Sequence, residues 1–280
     1  MTTKNERAYA IVTDLLYRRT GQVITPSRRW RIETALGTVL RELQIASLEQ
    51  LAALLEDDRT GSLGEKVAEA LLNNETYFFR DIAYFDVLGA KVLPELARRN
   101  ERSRTLSIWS AGCSTGQEAL SLAMLLVEQG SRWDGWRITI LGTDISRKAI
   151  AAARRNRYTQ FEIQRGISVS RMLTFFDEGE NGWVANDDLH TMVRFERANL
   201  LDGPPPGDAF DLVLCRNVLL YFDQETRQRA FSILRRATGS AGILMLGAGE
   251  TSVGHTDAFQ PAPGLAGFYR PDEAACAQAA

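Results

Sequence analysis

The sequence has few of the residues that build disulfide frameworks and metal centres. Its 280 residues include three cysteines and two histidines. The cysteines, Cys113, Cys215 and Cys276, are odd in number and widely spaced, which argues against a disulfide framework and a Cys-His metal site. We therefore expect a metal-free cytoplasmic protein.

Long apolar runs and a large charge of one sign are also missing. No apolar stretch reaches the roughly 18 residues of a membrane-spanning helix, and the first residues lack the apolar segment of a signal peptide. The formal net charge of −2 gives no overall attraction to nucleic acid. The sequence therefore predicts a globular protein of one large domain or two modest ones, without direct membrane insertion and without a nucleic-acid partner.

Residues 1–72 alternate apolar and charged positions at helical spacing and contain little that is typical of strands. They predict a small all-α domain. Arg28, Arg29 and Arg31 fall in a stretch that is free of acidic residues. A run of this kind is equally compatible with a solvated helical face and with a surface for an acidic partner.

Strand and helix patterns alternate after this region, with strands predicted at 105–109 and 137–141 and helices at 117–129 and 146–156. Such alternation predicts a parallel sheet with right-handed crossovers. The alternation is interrupted at about 158–197. There we expect a helix around 168–176 and, from the Asn181-Gly182 turn signal, a small antiparallel hairpin at the edge of the main sheet.

The turn from Ala111 to Gly116 lies between a predicted strand and the helix that Glu118 opens. Small residues and a helix N-terminus let backbone approach a ligand closely. The spacing Gly112-x-x-x-Gly116 is not the dinucleotide motif, and a glycine needed only for tight packing is an equal alternative at this point. Asp144, at the tip of the second strand, is well placed for the hydroxyls of a ribose. Its alternative role is the N-cap of the following helix.

Polar residues at four predicted strand ends indicate what the ligand is. Ligands of open α/β sheets bind outside the carboxyl ends of the strands, where the sequence has Ser110–Thr115, Asp144, Asn199 and Asn217. No Gly-Lys-Ser/Thr phosphate loop is present, which disfavours a kinase. The order of these groups fits S-adenosylmethionine (SAM) better than a nicotinamide cofactor and favours a methyltransferase.

Four motifs of the sequence carry the clearest functional signal. They are Asn74-x-Thr76-x-Phe78-Phe79-Arg80, Trp109-Ser110-Ala111-Gly112-Cys113-Ser114-Thr115-Gly116-Gln117-Glu118, Thr143-Asp144-Ile145 and Cys215-Arg216-Asn217-Val218-x-x-Tyr221-Phe222-Asp223. These motifs, and the order in which they occur, resemble the chemotaxis receptor glutamate O-methyltransferases, the CheR family. The likeness spans nearly the whole chain.

The resemblance implies an α/β fold: a Rossmann-like SAM-dependent methyltransferase domain at 83–280 with an inserted β-subdomain. A helical receptor-docking domain at 1–72 and a linker at 73–82, which reaches the cofactor, would precede it. Arg80 and Tyr221 would lie nearest the transferred methyl group. The implied cofactor contacts are Asn74, Thr76, Arg80, Ala111, Gly112, Glu118, Asp144, Asn199, Leu200, Asn217 and Val218.

The family methylates glutamates on the cytoplasmic helices of chemoreceptors and releases S-adenosylhomocysteine (SAH). The resemblance therefore implies that Arg28, Arg29 and Arg31 dock on the acidic face of those helices. The short loop Asp177–Gly182 resembles the branch of the family that needs no receptor C-terminal pentapeptide. A monomer is the default expectation. A catalytically idle SAM-binding adaptor and a methyltransferase for another substrate stay open as alternatives.

Overall fold

The structure, a computed structural model, describes residues 4–272 and divides into two compact units. Of the described residues, the helical unit comprises 4–73 together with Tyr221–Thr226, and the sheet unit comprises Asn74–Leu220 and 227–272. The sequence had placed 221–226 with the methyltransferase domain. This segment joins the helical unit because Gln22 forms an antiparallel bridge with Phe222 and Val23 N donates to the Tyr221 carbonyl at 2.8 Å.

The helical unit confirms the predicted all-α region at the N-terminal end of the chain. Its helices are α1 (Lys4–Thr20), α2 (Trp30–Glu42), α3 (Leu48–Glu56) and α4 (Ser62–Leu71), with a 3-10 turn at Pro26–Arg28. Apolar residues at helical spacing bury one face of each helix, and their core includes Val12, Leu16, Ile32, Leu36 and Val67. Ser47 caps α3 by accepting a hydrogen bond from Gln50 N.

The described part of the sheet unit contains ten strands and eight further helices. The strands are β1 (Thr105–Ala111), β2 (Arg137–Asp144), β3 (Arg157–Tyr158), β4 (Phe176–Gly179), β5 (Gly182–Ala185), β6 (Val193–Arg197), β7 (Phe210–Cys215), β8 (Thr238–Leu246), β9 (Phe259–Pro261) and β10 (Phe268–Pro271). The helices are α5 (Ile82–Val87), α6 (Leu93–Arg99), α7 (Gln117–Glu128), α8 (Arg147–Arg155), α9 (Gln160–Gln164), α10 (Val169–Phe175), α11 (Asp187–His190) and α12 (Gln224–Ala237, whose first turn belongs to the helical unit). A π-helical turn at Leu88–Val92 joins α5 to α6.

Seven strands form one sheet in the order β6-β2-β1-β7-β8-β10-β9. The first five are parallel and follow the Rossmann order, whereas β10 is antiparallel to both of its neighbours. The predicted fold class is therefore confirmed. Because Ser110 pairs with both Gly142 and Leu214, the carboxyl ends of β1, β2 and β7 meet at one edge of the sheet.

The insertion differs in part from its prediction. The helix expected around 168–176 is α10, and the expected hairpin is β4–β5, with its turn at residues 180–181. The hairpin does not extend the main sheet, however, because β3 pairs with β5 and completes a separate three-stranded sheet. Strand β6, which the sequence had included in the insertion, pairs with β2 as the edge of the main sheet.

Cys113 and Cys215 are buried free thiols, and Cys276 lies outside the described range. Between residues 4 and 272, no helix is both long enough and apolar enough to cross a membrane.

Candidate functional site

The turn after β1 requires a glycine at position 112. Gly112 has φ +80°, and a Cβ atom there would lie 2.3 Å from Val218 Cγ2. The backbone N–H groups of Gly112 and Cys113 both donate to the Thr143 carbonyl, at 2.7 and 2.9 Å. The turn is thereby fixed over the end of β2, and it brings together two of the predicted cofactor residues, Gly112 and Val218.

Asp144 connects this turn to the helix that follows β2. Its carboxylate accepts hydrogen bonds from Ser114 N at 2.9 Å and from Ser146 N at 2.8 Å. The N-cap of α8 is Ser146, which accepts from Ala149 N, so the alternative of Asp144 as that cap is wrong. A carboxylate oxygen has room for two hydrogen bonds, and the arrangement is therefore compatible with a ribose hydroxyl.

The segment before α5 lies against the same turn. The side-chain amide of Asn74 donates to Ser146 Oγ at 3.1 Å, and the backbone carbonyl of Asn74 accepts from Ser114 Oγ at 2.6 Å. Thr76 is half-buried farther along this segment. Arg80 donates to the Glu75 carbonyl at 3.1 Å. The structure thus brings Asn74 to the end of β2.

Glu118, in the first turn of α7, has a donor on each carboxylate oxygen. Ser110 Oγ donates to Oε1 at 2.8 Å, and Arg216 pairs with Oε2 at 3.0 Å. Arg216 belongs to the motif that begins at Cys215, but sequence reasoning assigned it no role. Its signal was an arginine directly after the apolar strand Phe210–Cys215, because a buried cation requires partners.

Asn217 follows Arg216 with φ +59°, and its backbone is held by Glu250, a residue that sequence reasoning missed. The Glu250 carboxylate accepts from Asn217 N at 2.7 Å, Gly247 N at 3.0 Å and Leu220 N at 3.2 Å. Burial raises the pKa of Glu250, and the three N–H donors oppose that rise. No sequence pattern marked Glu250, since it lies in the loop after β8.

Backbone strain is concentrated at this edge of the sheet. Of the seven non-glycine residues with positive φ among the described residues, four lie here: Phe79, Asp81, Ser114 and Asn217. Each such conformation costs on the order of 1–3 kcal/mol and persists only where surrounding contacts enforce it. Strain of this kind clusters at ligand sites, which supports the assignment of the site to this edge.

Asn199 and Leu200 lie on the β6 side of the same edge. They line a cavity of about 180 Å³ together with Trp109, Thr143 and the run Pro204–Pro206. Asn199 accepts from Leu201 N at 3.1 Å, and Trp109 Nε1 donates to Thr143 Oγ1 at 2.9 Å. The cavity is therefore lined by both an aromatic residue and polar residues.

The remaining predicted residues belong to the helical unit. Asn73 donates to the Tyr221 hydroxyl at 2.6 Å, and the Arg31 guanidinium lies 5.9 Å from the Tyr221 ring centroid. Arg28 and Arg29 are exposed. Tyr221 therefore lies in a different unit from Arg80, with which the sequence had grouped it.

The sheet unit fits SAM. The Gly112 turn leaves no room for a side chain, because Val218 occupies the space where a Cβ atom would lie. The Glu118 and Asp144 carboxylates are suited to hydroxyl groups and to a cationic ligand, and the cavity beside Trp109 suits a planar base. The turn 111–116 carries no lysine or arginine for a phosphate. Burial raises the pKa of the Cys113 and Cys215 thiols, so neither is a poised nucleophile.

Comparison with known proteins agrees with this geometry. The model of the CheR methyltransferase SAM-binding domain matches residues 74–267. The chain is 33% identical over 261 residues to a chemotaxis protein methyltransferase of Vibrio parahaemolyticus, covering 92% of this chain and 94% of that protein. It is 35% identical over 246 residues to chemotaxis protein methyltransferase 1 of Pseudomonas aeruginosa, covering 86% and 88%. The chain therefore belongs to the CheR methyltransferase family, and its sheet unit contains that family's SAM-binding domain.

Proposed function

We propose that this protein transfers the methyl group of SAM to specific glutamate side chains on the cytoplasmic helices of chemoreceptors, in chemosensory adaptation. The observation that carries the proposal is the extent of the family likeness. The 261 residues aligned with the Vibrio parahaemolyticus protein are more than the matched domain 74–267 contains. The likeness therefore includes part of the helical unit, to which we assign receptor docking.

The reaction needs alignment more than acid–base chemistry. When bound, SAM supplies an electrophilic methyl group on a sulfonium, and a glutamate oxygen bonds to that methyl as the carbon–sulfur bond breaks, releasing SAH. A glutamate side chain with a pKa of about 4.3 is already ionised at neutral pH, so the protein need not remove a proton. Positioning alone can lower such a barrier by several kcal/mol. The residues at this edge of the sheet are therefore proposed to bind SAM and to orient it relative to the substrate glutamate.

Cofactor binding is assigned to the residues that the resemblance implied. Asp144 is proposed to hold the ribose hydroxyls, and Asn199 and Leu200 to line the cavity beside Trp109. Asn74, Thr76, Ala111, Gly112, Glu118, Asn217 and Val218 are proposed to complete the site. The contacts of Asp144 with Ser114 and Ser146 support its part, because they fix the carboxylate at the end of β2.

Arg80 is proposed to orient the glutamate carboxylate or the cofactor end that carries the methyl group. Arg80 is a half-buried residue, and its guanidinium lies 5.7 Å from the Tyr77 ring centroid. Arg80→Ala should lower kcat with SAM at saturation, and near-normal turnover would remove Arg80 from this role. Tyr221 is proposed, on the resemblance alone, to shape the same pocket, and Tyr221→Phe tests its hydroxyl.

Receptor docking is assigned to Arg28, Arg29 and Arg31 at the N-terminal end of α2. Trp30, between them in sequence, is 64% exposed. A basic surface with an exposed aromatic ring suits an acidic helical partner. The two-residue turn of the β4–β5 hairpin supports the pentapeptide-independent branch, because it leaves no extended loop there. We propose a cytoplasmic monomer.

The decisive experiment is transfer of labelled methyl from SAM to membranes that contain a chemoreceptor. The matched acceptor is the same receptor with its methylatable glutamates replaced by alanine. Label that appears only on the unmodified receptor and is released by mild base identifies a glutamyl methyl ester. SAM binding without transfer to any receptor tested would favour the idle adaptor or another substrate.

A further inference from the structure

A buried arginine at the end of β7 contacts three groups of the cofactor edge. The Arg216 side chain is 1% exposed and pairs with Asp81 at 2.9 Å and with Glu118 at 3.0 Å. It also donates to the Arg80 carbonyl at 2.6 Å, and its guanidinium lies 5.3 Å from the Phe85 ring centroid. One side chain thus joins the segment before α5 to the first turn of α7.

The segment that Arg216 holds is strained. Phe79 and Asp81 have φ values of 50° and 60°, in the left-handed region that residues other than glycine avoid. Phe79 N is anchored on Ser121 Oγ at 2.9 Å, and Arg216 anchors the next two residues through the Arg80 carbonyl and the Asp81 carboxylate. Arg216 therefore fixes the backbone from which the Arg80 side chain projects.

Glu118 is oriented by the same contact. Its two oxygens bond separately to Ser110 and to Arg216, which together set the plane of the carboxylate. A guanidinium is a planar fork with five N–H donors, so it can contact two carboxylates and a carbonyl at once. A lysine ammonium keeps the charge but lacks that geometry.

Net stabilisation is a poor explanation for burying this cation. Desolvation of buried charges offsets most of their attraction, so a buried ion pair is weak support for stability. The sheet unit offers a comparison at the amino-terminal end of its strands, where Arg99 bonds to the Asp211 carboxylate and the Ala241 carbonyl. Arg99 has the same kinds of partner but contacts no residue of the cofactor edge.

We propose that Arg216 is a positioning residue for cofactor binding and methyl transfer. It holds the Glu118 carboxylate and the Arg80–Asp81 turn in the arrangement that binds SAM, and its own side chain is too buried to touch the reacting atoms. The inference rests on the proposed function, because Arg80 and Glu118 are cofactor residues within it.

The test compares Arg216→Lys with the matched variant Arg99→Lys. SAH affinity is measured by calorimetry, and kcat and the KM for SAM are measured with receptor membranes. We expect Arg216→Lys to weaken SAH binding by about tenfold or more, the scale of one lost hydrogen bond between charged groups, and to lower kcat as well. Arg99→Lys should keep SAH affinity, kcat and KM within about twofold of wild type. This should hold even if its melting temperature falls by as much as that of Arg216→Lys.

Each outcome decides the role of Arg216. A folded Arg216→Lys with SAH affinity and kcat within about twofold of wild type overturns the proposal. If Arg216→Lys does not fold, Asp81→Asn is used instead, because this variant removes the charge of one Arg216 partner and retains the arginine. Asp81→Asn should bind SAH several-fold more weakly, and unchanged affinity overturns the proposal. If the wild type binds SAH but methylates no receptor, the substrate assignment fails, whereas the calorimetric comparison still decides Arg216.

Discussion

Glu250→Gln tests whether a carboxylate outside the predicted site holds the turn that carries Asn217. Oε2 of Glu250 accepts from Asn217 N and Gly247 N, and Oε1 accepts from Leu220 N. A glutamine has one carbonyl oxygen, which can keep the pair of bonds at Asn217 and Gly247. The NH₂ group of the glutamine then takes the place of Oε1, which lies 3.2 Å from Leu220 N in the wild type, and it cannot accept the Leu220 hydrogen bond. Because this hydrogen bond is at an exposed position, where water can replace the acceptor, its loss costs about 0.5–1.5 kcal/mol.

Glutamine is uncharged, so Glu250→Gln also removes the free-energy cost of burying a carboxylate charge. This gain opposes the cost of the lost hydrogen bond, and the balance between the two depends on pH. The folded-state pKa of Glu250 is raised by burial. A carboxyl with a raised pKa adds stability at pH values below its unfolded pKa, about 4.3, and loses that contribution as the pH rises through its folded pKa. Each unit of elevation is worth about 1.4 kcal/mol. The stability of the wild type relative to Glu250→Gln should therefore fall as the pH rises through this window and be constant above it.

Urea unfolding at several pH values between about 4 and 8 measures this difference. Tryptophan fluorescence reports mainly the sheet unit, which contains four of the five tryptophans: Trp109, Trp133, Trp136 and Trp183. Calorimetry with SAH measures the effect on the site, where we expect Glu250→Gln to weaken binding by about three- to tenfold. Glu101→Gln, at an exposed turn, is the control. Wild-type affinity in a folded Glu250→Gln, or a stability difference independent of pH, would refute this reasoning.

Three other variants or conditions test the site and the docking surface. Gly112→Ala should weaken SAH binding by tenfold or more in calorimetry, since it adds a clash with Val218 to a left-handed backbone, at a cost of about 2–5 kcal/mol in all. Gly254→Ala is the control, because Gly254 has φ +77° but nothing near its missing Cβ, so this variant adds only the backbone cost. Equal effects of the two variants on SAH binding would contradict a role for the contact between Gly112 and Val218. Asp144→Asn should weaken SAH binding by about tenfold or more, because an amide cannot accept both N–H bonds and a hydroxyl as a carboxylate does; unchanged affinity would remove Asp144 from the site. Raising the salt from about 0.05 to about 0.5 M should lower kcat/KM for the receptor severalfold, and Arg28→Ala should reduce that dependence; rates insensitive to salt would argue against basic docking.

Much of the fold followed from patterns that are local in the chain. The alternation of strands and helices predicted the parallel sheet, because each period reports which face of one element is buried. Gly112 and Asp144 were found for the same reason, since each directly follows a strand and the carboxyl ends of parallel strands meet at one edge. The motifs then indicated the family, and the comparisons confirmed it.

Contacts between residues far apart in sequence were decided by the tertiary structure. Arg216 reaches Glu118 across 98 positions and the Arg80 carbonyl across 136, and no period or spacing in the sequence links them. The same holds for Glu250, 33 positions from Asn217, and for Phe222, whose bridge to Gln22 places 221–226 in the helical unit. A sequence pattern records the environment of each element singly, whereas these hydrogen bonds exist only after packing has fixed where two distant side chains meet.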